Sequence, residues 1–211
     1  MSKLIHVIAA AYERLPELRV FIQSWINQTS EDWQLTVIHD GKSQAFTNLM
    51  NEPNYIHPNI KFFCTERRYN DYGHSLRDLG LKYAKGQYTI LTNGDNYFIP
   101  LATEIISESI GKLDDYSLRP DIILFDMIHS HANPGARHAK EKQQPVYNLF
   151  KTSFKPYCID VSSAAVKTEL AKSVGFRDKG FDADQAYFND IALKVEKLKI
   201  MKLKHVLLVH N

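Results

Sequence analysis

Apolar residues in this chain fall into short continuous runs separated by stretches with a helical period. Leu4 to Ala9 is almost uninterrupted, the pattern of a strand buried on both faces of a mostly parallel sheet. A turn follows, then a helix in which Pro16 occupies the first turn and Leu18, Phe21, Ile22 and Trp25 recur at i, i+3, i+4 and i+7. Leu35 to Ile38 predicts a second strand, closed by His39-Asp40-Gly41-Lys42-Ser43, whose Asp-Gly pair signals a turn, and Ile60 to Cys64 predicts a third. Ser75 to Ala84 carries Leu76, Leu79 and Tyr83 at helical spacing and closes on Lys85-Gly86. Tyr88 to Leu91 reads as a strand that runs into the polar turn Thr92 to Asn96, with the apolar group Tyr97 to Ile99 behind it. Pro100 predicts the start of a helix carrying Ile105, Ile106, Ile110 and Leu113, and Ile122 to Met127 predicts a strand. His129 to Gln144 has no period and reads as a mobile loop. Ala165 to Val174 and Gln185 to Leu198 read as helices, and Val206 to Val209 as a last strand.

Strands alternating with helices imply an α/β domain, a Rossmann-like mostly parallel central sheet with helices on both faces. The 211 residues contain no repeat, low-complexity tract or linker, so they read as one domain. A net charge of +2 does not mark a nucleic-acid binder. Two cysteines are too few for a disulfide scaffold. No stretch approaches the ~20 apolar residues of a transmembrane segment, and the opening is too short for a signal peptide, so a cytoplasmic protein is expected.

In such sheets ligands bind beyond the carboxyl ends of the strands, which selects the loops at residues 10–14, 39–43, 65–74 and 93–96. In the first, Ala10 and Ala11 let a ligand approach the backbone, Tyr12 can stack and Glu13 can accept from hydroxyls, a set suited to a nucleoside as well as to a plain strand-to-helix turn. Asp40 can accept from a base or ribose, or simply form its turn. Asn93-Gly94-Asp95 offers the hard oxygen ligands that Mg²⁺ or Mn²⁺ prefers, and such an ion can bridge to a diphosphate; a hydrogen-bonded turn is the alternative. Neither GxxxxGK[ST] nor GxGxxG follows any strand, and GxSxG is absent, which removes the main support for kinase, dehydrogenase and serine-hydrolase readings.

Read together, these pieces resemble the family 2 glycosyltransferases, whose catalytic domain has the GT-A fold. His6 to Arg14 (HVIAAAYER) looks like the family's opening strand and P-T-Y-N-R turn, and Phe21 to Trp33 (FIQSWINQTSEDW) like the segment after it. Leu35 to Ser43 retains the second aspartate of the D-D-G-S turn as Asp40, and Gly73 to Leu81 (GHSLRDLGL) puts Arg77 and Asp78 at the arginine and asparagine of the following helix. Ala84 to Pro100 (AKGQYTILTNGDNYFIP) is the most specific piece, with Asn93-Gly94-Asp95 at the family's D-x-D. Asp160 to Val166 and Val174 to Phe176 resemble acceptor-side elements, Phe188 to Leu193 the start of the E-D helix, and Val209-His210 the late V-x-H.

The resemblance implies an inverting transfer of a sugar from a nucleoside-diphosphate donor, UDP-linked, to an acceptor hydroxyl. Residues 1–100 are then the nucleotide-binding half and 101–211 the acceptor-side half. It implies Asp190 as catalytic base, Ala10, Ala11, Tyr12, Glu13, Asp40, Arg77, Asn93, Gly94 and Asp95 around the donor, and Asp95 with His210 on Mn²⁺ or Mg²⁺. Two acidic positions are amides here, Asn93 and Asn189, so a domain that binds a nucleotide sugar or glycan without transfer is the alternative. A nucleotidyltransferase is disfavoured, because the loop from Ala10 to Arg14 has no glycine. The acceptor pocket is expected in 129–144 and 150–160, with the first loop closing over bound donor.

Overall fold

The computed structural model describes residues 3–111, 113, 118–129 and 147–211; most of the loop predicted over His129 to Gln144 lies outside them. The elements run β1 (Ile5–Ala11), α1 (Leu15–Ile26), β2 (Trp33–His39), α2 (Gln44–Met50), β3 (Ile60–Cys64), α3 (His74–Tyr83), β4 (Tyr88–Asn93), β5 (Tyr97–Phe98), α4 (Ala102–Gly111), β6 (Ile122–His129), β7 (Asn148–Phe150), β8 (Ala164–Lys167), α5 (Thr168–Val174), α6 (Ala183–Lys194) and β9 (Ile200–His210). The sheet has the order β3-β2-β1-β4-β8-β6-β9-β5, with β7 on β6. Pairs β1–β2, β2–β3, β1–β4 and β6–β9 are parallel, and β8 enters antiparallel between β4 and β6.

Alternation along the strands divides the core between the two faces of the sheet. Ile5, Val7, Ala9 and Ala11 of β1 pack with Leu18, Phe21 and Trp25 of α1, Phe46 of α2 and Ile106 and Ile110 of α4. Ile8 and Ala10 pack on the opposite face with Leu76 and Leu81 of α3, Ala171 of α5 and Tyr187 and Ile191 of α6. Burying each large apolar side chain contributes about 1.5–3 kcal/mol, and a one-residue slip of β1 would exchange the two sets, so its register is fixed. That register sets Ala10 beside Asn93 and Ala11 beside His39, which brings the loops after β1, β2 and β4 to one edge.

The structure corrects several predicted elements. Ala164–Lys167 is a strand rather than the first half of a helix over Ala165 to Val174, which begins only at Thr168. Its small residues lie between Thr89 and Ile90 on one side and Ile122 to Leu124 on the other, and pairing on both edges outweighs alanine's helical preference. Helix α4 starts at Ala102, not Pro100, whose carbonyl accepts from Thr29 N at 2.9 Å, and it ends at Gly111, short of Leu113. Helix α6 starts earlier than Gln185 and stops at Lys194, because Val195 is extended (φ −121°, ψ 111°); Leu198 lies beyond it. Strand β9 begins at Ile200, well before Val206.

Candidate active site

A cleft of about 360 Å³ opens at the carboxyl edge of β1, β2 and β4. Ala10, Ala11, Tyr12, Glu13, Asp40, Asn93, Gly94 and Asp95, eight of the residues singled out from the sequence, line it together with Arg14, Arg68, Asn70, Tyr72 and Gly73. Its floor is tight because the side chains there are small. A Cβ on Gly73 would lie 2.6 Å from Ala10 Cβ, and one on Gly94 3.3 Å from Ala11 Cβ. Gly73 also has a φ of +82°, which glycine adopts without strain.

The polar groups divide into those that build the wall and those left for a ligand. Asp40 is buried, and its two oxygens accept from Tyr69 N at 2.7 Å and Asn70 N at 2.9 Å, so it holds the loop after β3 as well as facing the cleft. Arg68 covers the ring of Tyr12, its guanidinium carbon 3.7 Å from the ring centroid, a cation–π contact at the mouth. Arg77, buried in α3, does not line the cleft itself; its Nη2 donates to Asn93 Oδ1 at 2.5 Å. Asp95 Oδ2 accepts from Arg14 Nη1 at 2.6 Å.

Behind this wall runs a connected polar network. Asn96 Nδ2 donates to Ser162 Oγ at 3.2 Å, in the 3-10 turn Val161–Ser163, and Asp160 caps that turn by accepting from Ser162 N at 2.7 Å. Asp160 Oδ2 lies 3.7 Å from His210 Nε2, and the His210 ring stacks on His129 at 4.6 Å. Asn211 returns to the turn after β4, donating through N to Asn96 Oδ1 at 3.3 Å and through Nδ2 to Asp95 O at 2.8 Å. His210 is therefore an ordered, buried residue beside the Asp95 turn.

One member of the network was missed in the sequence. Asp184 is half-buried in the first turn of α6, where the Val161 N–H acts on its carboxylate. Burial and the neighbouring Asp160 carboxylate push it up to about 6, against the pull of Arg77 and the Val161 N–H. Asp160 goes the other way: burial works upward, but His210, Ser162 and Arg77 outweigh it and hold the carboxyl below its ordinary value. The two carboxylates thus shift in opposite directions, each partly through its charged neighbours. The sequence signal was a pair of carboxylates at the helix start, Asp182 at the N-cap and Asp184 in the first turn, which reads equally as a complement to the helix dipole. Neither Asp184 nor Asp190 lines the cleft; the two differ in their neighbours, and Arg177 holds the Asp190 carboxylate through Nε and Nη2, both at 3.1 Å.

Two atoms around the Asp95 turn are buried without a hydrogen-bond partner, Asp95 Oδ1 and His210 Nδ1. A carboxylate oxygen and an imidazole nitrogen are ligands that Mn²⁺ accepts, and Mg²⁺ or Mn²⁺ at a phosphate site needs few protein ligands because waters and phosphates complete its shell. Among the described residues no group of three or more His, Cys, Asp or Glu converges on one point.

The fold has known counterparts. TarS from S. aureus (residues 1–349) superposes with a TM-score of 0.72 at 16% identity, over 98% of this chain and 60% of that one. The same fragment in complex with UDP-GlcNAc matches with a TM-score of 0.72, 16% identity, 97% of this chain and 57% of that one. The mannosyltransferase PcManGT from Pyrobaculum calidifontis, in complex with GDP-Man and Mn²⁺, gives 0.68 at 14% identity, over 99% and 57% of the two chains. An uncharacterized glycosyltransferase of Rickettsia bellii (strain RML369-C) is 28% identical over 101 residues, 44% of this chain and 13% of its own length. The chain thus spans less than two thirds of each of these relatives. The profile of Glycosyl transferase family 2 matches residues 6–148, which carry β1 to β6 and the whole wall of the cleft, and the chain belongs to that family.

Proposed function

We propose that this chain is the catalytic domain of an inverting glycosyltransferase that moves a sugar from a UDP-linked donor to an acceptor hydroxyl with the help of Mn²⁺ or Mg²⁺. The observation that carries the reading is the pairing of a nucleotide-sized cleft at the strand ends with a carboxylate pushed up to about 6 in the network behind it. Support for the donor class comes from TarS with UDP-GlcNAc and PcManGT with GDP-Man and Mn²⁺.

Residues up to 100 form the donor half and those from 101 the acceptor half. Tyr12 stacks the base once Arg68 moves off its ring, with Glu13 and Asp40 accepting from base or ribose; each Asp40 oxygen keeps a further lone pair beyond its backbone bond. Asn93 gives its carbonyl to Arg77, which leaves its NH₂ to donate to a ribose oxygen. The acceptor oxygen attacks the anomeric carbon opposite the leaving group while Asp184 takes its proton, and the breaking C–O bond leaves its electron pair on the diphosphate. A pKa of about 6 suits a general base near neutral pH. Arg14 and Arg68, both in the cleft wall, face the departing charge. Asp95, with His210 as a second ligand, would hold a divalent cation, which would supply further positive charge to that leaving group.

The test is release of UDP from UDP-sugars, wild type against Asp184→Asn and Asp190→Asn. Asp184→Asn is expected to lose turnover while keeping UDP affinity, and Asp190→Asn to retain most of it. Loss confined to Asp190→Asn would return the base to Asp190. UDP binding without release, across donors and acceptors, would favour a domain that binds without transfer.

A further inference from the structure

The carboxylate that a divalent cation needs is already engaged by a residue of the chain. Asp95 Oδ2 lies 2.6 Å from Arg14 Nη1, and its Oδ1 is buried without a partner. The two residues are 81 positions apart, so the fold and not local sequence makes this contact. Arg14 has φ 47° and ψ 46°, and Glu13 before it has φ 50°. Two consecutive residues with side chains in the left-handed region are disfavoured, and here they turn the chain so that Arg14 faces the cleft just before α1 begins. The pair is asymmetric. The Arg14 side chain is 61% exposed and that of Asp95 17%, so the cation is free to leave and the carboxylate is not free to follow.

We propose that Arg14 is an exchangeable counter-ion: it neutralises Asp95 in the free protein, yields that carboxylate to a divalent cation when a nucleoside diphosphate enters, and itself moves onto the diphosphate. The inference rests on the donor-site reading above. Asp95 beside two phosphates repels them until a cation lies between, and a guanidinium gains more from a phosphate, which it grips with two N–H bonds, than from one carboxylate oxygen. Ion and nucleotide therefore load together, and each raises the affinity of the other by the same factor.

Mn²⁺ binding followed by electron paramagnetic resonance, first without nucleotide and then with UDP, tests the exchange on wild type, Arg14→Ala and Arg14→Lys. Without nucleotide, Arg14→Ala is expected to bind Mn²⁺ about three- to tenfold tighter than wild type, because a competing surface cation has been removed. Arg14→Lys keeps a cation and stays close to wild type, and the added Asp95→Ala change abolishes the gain. With UDP, the tightening of Mn²⁺ is expected to shrink in Arg14→Ala, and UDP to bind it more weakly at saturating Mn²⁺. Unchanged or weaker Mn²⁺ binding by Arg14→Ala alone, while wild type takes up Mn²⁺ with UDP, overturns the exchange and leaves the donor site standing. No uptake by wild type even with UDP overturns the metal-assisted donor reading and the exchange with it.

Discussion

Asp184 carries an ionised carboxylate at a cost to the fold, and replacing it with asparagine should stabilise the protein at neutral pH. In the folded chain its pKa is about 6 against an ordinary 3.8, so the folded state binds this proton more tightly than the unfolded one. A carboxyl shifted upward contributes its stability below about pH 4 and loses it as pH rises through about 6. At about 1.4 kcal/mol for each tenfold in proton affinity, the cost of the ionised form at pH 8 is about 3 kcal/mol as an upper bound. The Arg77 charge and Val161 N–H are already included, since both pull the pKa down against burial and Asp160. Asn keeps an acceptor for Val161 N and turns a donor toward Asp160 in place of a like charge. Urea melts of wild type and Asp184→Asn at pH 8, 6 and 4 should give a gain of about 1–3 kcal/mol at pH 8 that fades by pH 4, with thermal midpoints about 2–10 °C higher at pH 8. A variant equally stable or weaker at pH 8, or a difference independent of pH, would refute the placement of Asp184 against Asp160.

Two further substitutions probe the walls of the cleft. Gly73→Ala puts a Cβ 2.6 Å from Ala10 Cβ at a φ of +82°, and should cost about 2–4 kcal/mol in urea unfolding and weaken UDP binding; a cost below about 0.5 kcal/mol would contradict the close approach. Asp78 accepts from Phe176 N at 2.7 Å and from Lys179, tying the segment after α5 to α3. Asp78→Ala should lose about 1–3 kcal/mol locally, read as faster hydrogen exchange at the Phe176 amide, and unchanged protection there would show that the tie is not needed.

The first half of the fold was legible because its strands are buried on both faces: LIHVIA, LTVI and YTIL announce β1, β2 and β4 by apolar continuity alone. The second half was harder to read where pairing, not composition, decides. Ala164-Ala165-Val166 carries no strand signature, and becomes β8 only because β4 and β6 lie on either side. The lysine-alternating start of β9, with Lys202 and Lys204 exposed, hides a strand that only its partner β6 reveals. The cleft wall could be found from the loops after β1, β2 and β4, since the strand-end rule needs no distances. Asp184 could not, because its difference from Asp190 lies in neighbours distant in sequence: Asp160 and Arg77 surround the one, Arg177 grips the other. The Arg14 contact with Asp95 was hidden for the same reason, resting on two left-handed residues that no composition signals.

The cleft at the carboxyl edge of β1, β2 and β4 is proposed as a nucleoside-diphosphate donor site centred on Asp95. Calorimetric titration of UDP, with and without Mn²⁺, on the wild-type protein and on Asp95→Ala tests it directly. UDP is expected to bind, Mn²⁺ to strengthen that binding, and Asp95→Ala to strip it of its metal dependence. Absence of UDP binding under both conditions, or binding with the same metal dependence after Asp95→Ala, would contradict it.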